Sequence, residues 1–174
     1  MKSAEVLAGT QQAPALRRRM ACFLYEGVLL FGVLMTAGLV YGVLTRQKHA
    51  LTGLHGLQAF VFVVLGVYFV GFWSRSGQTL AMQTWRIKLV TRQGHAVPKL
   101  RATGRYLLAW LWFMPALFSV WLSGLKTSGP AVFATLLAGV LAYAALCWLH
   151  PQRQFWHDAV CGTRLITWQP PTRN

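Results

Sequence analysis

The sequence predicts an all-α integral membrane protein: four transmembrane helices, a small cytoplasmic interfacial helix and a short β pairing. Three observations carry that prediction. Hydrophobic residues make up 55% of the 174 residues and charged residues 11%, against roughly 25% charged in soluble domains. The apolar residues come in four long blocks rather than at amphipathic spacing. The 17 lysines and arginines sit in the gaps between those blocks, with only 3 acids beside them.

From the N-terminus, residues 1–13 are expected to form a disordered tail, residues 14–168 the membrane domain and residues 169–174 a second disordered tail. Arg17-Arg18-Arg19 followed by apolar sequence looks like the start of a secretory signal. The apolar core of a cleaved signal, however, runs for only about 7–15 residues. The run here is Met20–Leu44, long enough for a helix to cross the roughly 30 Å hydrocarbon core, and it reads as a retained first span. The second block, Gly56–Trp73, is free of charge. The third, Tyr106–Leu122, carries Tyr106, Trp110, Trp112 and Trp121, which suit the aromatic belt of a membrane interface. Pro115 lies inside it and is expected to kink it. The fourth, Pro130–Leu149, opens on a proline suited to the first turn of a helix.

The loop between the second and third blocks is long enough to hold structure. Leu80–Trp85 is expected to form a short helix in the interface, with Thr79 as its N-cap. Arg86–Thr91 then largely alternates polar and apolar residues, which is strand periodicity. Gln93-Gly94 supplies a turn and Pro98 ends the unit. Thr163–Trp168 is a second short β-like run. Two strands alone are marginal in water, so their pairing is expected only if they pack against the membrane ends of the helices.

Fourteen of the 17 basic residues lie before the first block, between the second and third, or after the fourth. The positive-inside rule therefore places both termini and the 74–105 loop in the cytoplasm, and the bacterial inner membrane is the expected location. A nucleic-acid-binding stripe would instead gather its basic residues on one helix or face. Attraction to anionic headgroups, about 1 kcal/mol per basic residue near the surface, accounts for the charge. The expected partner is thus a lipid bilayer with anionic headgroups and not nucleic acid. Gly38-x-x-x-Gly42 in the first span also suits close helix packing, in a homo-oligomer or against another membrane protein.

Three cysteines without CxxC spacing give neither a disulfide framework nor a metal or redox site. Cys22, Cys147 and Cys161 are expected to be small fillers. Among the acids, Glu5 lies in the tail, which leaves Glu26 and Asp158. Glu26 is about 9 Å into the first span, where an ionised group costs on the order of 2.5–3.5 kcal/mol. It therefore needs a partner or a water-filled path. Arg19, seven residues back, lies too far along the helix for direct contact. Two readings compete: Glu26 binds a cation or proton on a transport path, or it pairs with an arginine from the 74–105 loop or the C-terminal tail and locks the first helix to the cytoplasmic unit. Asp158 follows His157, but adjacent residues do not normally face each other, and no nucleophile motif accompanies them. Asp158 is expected to accept hydrogen bonds from backbone amides or an arginine. His150 and His157, with Pro151 between, are weak metal ligands by spacing.

Three motifs in order resemble the RDD family of membrane proteins, named for one arginine and two aspartates. Arg18-Arg19-Met20-Ala21-Cys22-Phe23-Leu24-Tyr25-Glu26 resembles the opening of that family's first helix. Gly77-Gln78-Thr79-Leu80-Ala81-Met82 is similar to its GQTLG-like loop, with Ala81 where a glycine is usual. His157-Asp158-Ala159-Val160-Cys161-Gly162-Thr163 is similar to its HD-x-x-x-GT ending. The resemblance assigns the family's arginine to Arg19 and its second aspartate to Asp158, while Glu26 stands in the place of the first. It implies a transport-related role, cation/proton exchange or a transporter accessory, with Arg19, Glu26 and Asp158 as an ion or structural site. The alternative is a non-catalytic membrane scaffold or assembly protein. With no nucleophile motif, metal cluster or phosphate loop, neither enzymatic activity nor a cofactor is expected.

Overall fold

The computed structural model describes residues 13–46, 54–110, 113–123, 129–149 and 154–168. Apart from residue 13, the two expected tails lie outside these residues. Helix α1, Leu16–Thr45, contains no proline and ends where Arg46 turns left-handed at φ 49° and donates back to the Gly42 and Val43 carbonyls. Helix α2, Leu54–Arg75, ends at Ser76 and Gly77, whose N–H groups both reach the Phe72 carbonyl at 3.0 and 3.1 Å. Among the described residues, three helices are long and apolar enough to cross a membrane: α1, α2 and the C-terminal Gly129–Leu149.

Along the third expected span the described residues form two shorter helices, α4 over Lys99–Ala109 and α5 over Met114–Ser123, and residues 111–112 lie outside the described residues. At 1.5 Å per residue each reaches only about 15 Å, half of a hydrocarbon core. Pro115 falls in the first turn of α5, where its missing N–H costs no intrahelical bond. The fourth block forms α6, Gly129–Ala145, with Pro130 in its first turn and a 3-10 turn, Leu146–Leu149, at its end.

The remaining elements make a compact unit at one end of the helices. Thr79 caps α3, Leu80–Thr84, by accepting the Met82 N–H at 3.3 Å. Strand β1, Ile87–Thr91, pairs antiparallel with β2, Thr163–Thr167, with Leu89 opposite Leu165. Gly94, at φ +87°, turns the chain after β1, and Pro98 caps α4. A five-residue helix α7, Trp156–Val160, precedes β2.

Such a small sheet leaves two open edges, and a glutamine covers part of each. Gln78 donates from Nε2 to the Ile87 carbonyl at 2.7 Å, while the Gly77 carbonyl takes the Leu89 N–H at 2.8 Å. On the other edge Gln154 answers both backbone groups of Leu165, donating to its carbonyl and accepting its N–H at 3.1 Å each. Ile87, Leu89 and Leu165 point into a core shared with Ala81, Val97 and Phe155. The long helices differ sharply from this unit. Val28, Phe31, Met35, Leu39 and Val43 of α1 are all exposed, as suits a helix whose solvent is lipid.

Candidate functional site

The buried polar groups gather where the helices enter the compact unit. Asp158, in the first turn of α7, is completely buried. Its Oδ1 accepts Arg105 Nε at 2.6 Å and the Thr163 hydroxyl at 3.3 Å. Arg105 comes from α4 and lays its guanidinium over the Trp73 ring of α2, 4.1 Å from the centroid. One carboxylate thereby joins α7, β2, α4 and α2. Burial acts to raise the Asp158 pKa, but the Arg105 charge, with His157 and the Arg105 and Thr163 hydrogen bonds, outweighs it and holds the group below the ordinary carboxylate range.

His157 faces its neighbour after all. Its Nε2 lies 3.6 Å from Asp158 Oδ1, against the expectation that adjacent side chains diverge. Its backbone N–H donates to the Tyr143 hydroxyl oxygen at 3.2 Å, and that hydroxyl lies in hydrogen-bond contact with Nδ1 at 3.0 Å. Burial pushes the His157 pKa down to about 4, with Asp158 opposing the shift, so the ring is neutral at pH 7. No group of three or more His, Cys, Asp or Glu residues that could hold a metal occurs among the described residues, and His150 lies outside them.

Arg19 enters the same cluster from α1. It is 5% exposed, lies 4.6 Å from the Phe155 ring centroid and donates from Nη2 to Cys147 Sγ at 3.7 Å. Phe155 in turn stacks on His157. Arg19 and Asp158 are thus brought into one buried neighbourhood without an ion pair between them. Arg19 Nε and Nη1 and Asp158 Oδ2 find no hydrogen-bond partner among the described residues.

Glu26 sits apart from that cluster. It is buried in α1, where its Oε1 accepts the Tyr68 hydroxyl of α2 at 2.7 Å and its Oε2 accepts the Thr79 hydroxyl. Among the described residues no arginine meets it; two hydroxyls take that place. Thr79 can serve because its oxygen also accepts the α3 N–H, which turns its proton toward Glu26. Arg18, one turn from Cys22, instead fixes α1 to the unit through the Trp85 carbonyl at 2.6 Å and the Arg86 carbonyl at 3.1 Å.

Each motif now has a physical task. In Gly77-Gln78-Thr79, Gly77 takes φ +74°, and a Cβ there would stand 2.6 Å from the Leu89 carbonyl oxygen. Gln78 covers the sheet edge and Thr79 caps α3 and holds Glu26. In the C-terminal motif, Gly162 takes φ +65° to start β2 and Thr163 bonds back to Asp158. Sequence reasoning missed Arg105, Tyr68 and Tyr143. Arg105 was one of fourteen orientation charges, although it is the only one directly abutting an apolar block on the loop side of the third span.

No curated protein and no solved structure matches the chain. The family model described as RDD family matches residues 13–162, which contain Arg19, Glu26, Asp158 and the whole of the Gly77–Met82 loop. With that match covering most of its length, this membrane protein belongs to the RDD family.

Proposed function

We propose that the chain crosses the bacterial inner membrane four times, keeps both termini cytoplasmic, and acts as a non-catalytic scaffold that holds a rigid basic unit against the membrane. The crossing number is supported by the side on which the sheet forms. Strand β1 follows α2 and strand β2 follows α6, yet the two pair residue for residue. The chain leaves the unit through α4 and returns through α6, so the stretch between them must cross outward. Residues 106–123 follow the last charge of α4, and at a helical 1.5 Å per residue a segment of that length extends about 27 Å, close to one hydrocarbon core. Tyr106 of α4 bonds the Phe62 carbonyl inside α2 at 2.7 Å, which sets α4 alongside a spanning helix. The basic residues around the unit then give it the cytoplasmic side.

The single observation that carries the scaffold reading is the use of the two carboxylates. Glu26 and Asp158 are both spent on bonds between helices and the compact unit, and the other three apolar blocks contain no charged residue. A second reading, transport-related, is favoured by one feature: among the described residues Glu26 meets only hydroxyls, which can hold a carboxyl in either protonation state. Reporter fusions after Gly53 and after Lys126 are expected outside the cytoplasm; a cytoplasmic signal at either removes the four-crossing reading. Reconstituted protein is expected to show no cation-dependent proton flux. A flux abolished by Glu26→Gln at normal folded yield replaces the scaffold with a transporter.

A further inference from the structure

The compact unit carries a cleft on the sheet face turned away from the core. It has a volume of about 170 Å3. Its lining includes Val90 and Ile166 of the sheet, the exit of α2 at Arg75–Gly77, the turn at Gly94, and Lys88 with Trp168. The Lys88 ammonium lies 4.0 Å from the Trp168 ring centroid, which fixes a flexible charge at the cleft. Gly77 makes the site: its missing side chain lets the end of α2 press on β1, where any Cβ would meet the Leu89 oxygen and the Lys88 stem.

Location selects the ligand. Arg75 is two residues beyond Trp73, the end of the apolar block of α2, so the cleft wall stands where a spanning helix meets the headgroups. Arg75 and Lys88 line this cleft together with Val90, Ile166 and Trp168, and the described lining contains no acid. We propose that this cleft binds the phosphate group of an anionic phospholipid, with Arg75 and Lys88 as its counter-charges and Trp168 packed against the glycerol end. The inference rests on the reading that the unit lies at the membrane surface, which the reporter fusions test separately.

The test uses full-length protein in mild detergent and counts retained phosphatidylglycerol by native mass spectrometry. Arg75→Gln/Lys88→Gln is expected to weaken the first bound lipid by about 30-fold, corresponding to about 2 kcal/mol, the scale of a direct hydrogen bond to a charged group. Arg17→Gln/Lys99→Gln, which removes the same charge elsewhere on that face, is expected to leave it within about twofold, a few tenths of a kcal/mol. Equal losses in the two variants would show general attraction and overturn the site. So would equal retention of phosphatidylcholine by the parent protein. Displacement of the lipid by glycerol 1-phosphate at equal concentration would assign the cleft to a soluble phosphate instead and overturn the lipid. If the double variant fails to fold, Lys88→Gln alone should lose binding and Lys88→Arg should keep it; binding unchanged in Lys88→Gln overturns the proposal.

Discussion

Glu26 and Asp158 lie in the same boundary layer, each bonded to residues distant in sequence, yet their surroundings differ in kind. Asp158 is met by a guanidinium, a histidine edge and a threonine, and every segment it touches lies in or next to the compact unit. Among the described residues Glu26 is met by two hydroxyls and no cation, and one of those hydroxyls comes from a spanning helix. A fully buried carboxylate with a cation is fixed as an ion, because losing either charge strands the other in a poorly hydrated place. A carboxyl held by hydroxyls carries no such demand, since a hydroxyl can donate or accept. The first arrangement builds the unit; the second fastens a membrane helix to it.

The largest expected effect comes from breaking the ionic side of this comparison. Asp158→Asn leaves Arg105 charged and buried with no counter-ion, which costs about 3–5 kcal/mol where such pairs have been broken. Thermal unfolding in detergent should show a collapse in folded yield. Adding Arg105→Met should recover part of it, because the stranded charge is then gone and the two changes are coupled. If the double variant is as unstable as the sum of the single ones, the pair is not what holds α4 to α7.

Acid offers the next, smaller perturbation. The unfolded His157 takes a proton near pH 6.5, whereas the folded ring does so only near 4, so between these values the unfolded state binds more protons. Stability is therefore full above about 6.5 and falls as the pH drops toward 4, by up to about 3 kcal/mol. Asp158, with its pKa held low in the fold, removes further stability below the ordinary carboxylate range. Melting temperatures between pH 4 and 7 should show the slope, and His157→Gln should flatten it. A parent protein with the same melting temperature at both ends would contradict the buried neutral ring.

Much of the frame was legible because it follows from single-residue properties. Apolar length placed α1, α2 and α6, the hydroxyl of Thr79 placed the start of α3, and alternation placed β1 and β2. Pro115 pointed to the region where α5 starts, but one kinked helix and two separate helices share the same sequence pattern. The site was less legible. Arg105 was hidden among the orientation charges, and nothing local separates a lysine or arginine that meets lipid from one that turns inward. Tyr68 and Tyr143 look like interface aromatics until the chain brings Glu26 and His157 to them. Gln78 and Gln154, which finish the edges of the sheet, carry no periodic signal at all.

The smallest effect is expected at Glu26, and it is the most informative about the difference between the two acids. Glu26→Gln keeps one carbonyl acceptor and adds an amide that can donate to a hydroxyl oxygen, so Tyr68 and Thr79 can both turn to suit it. The loss should be about 1 kcal/mol, the scale of one exchanged hydrogen bond, well below that of Asp158→Asn. Glu26→Leu keeps the volume but leaves both hydroxyls buried without an acceptor, and should cost more than Glu26→Gln in the same melts. A Glu26→Gln penalty as large as that of Asp158→Asn would mean that Glu26 is held as an anion, and that its hydroxyl cradle is tuned for charge.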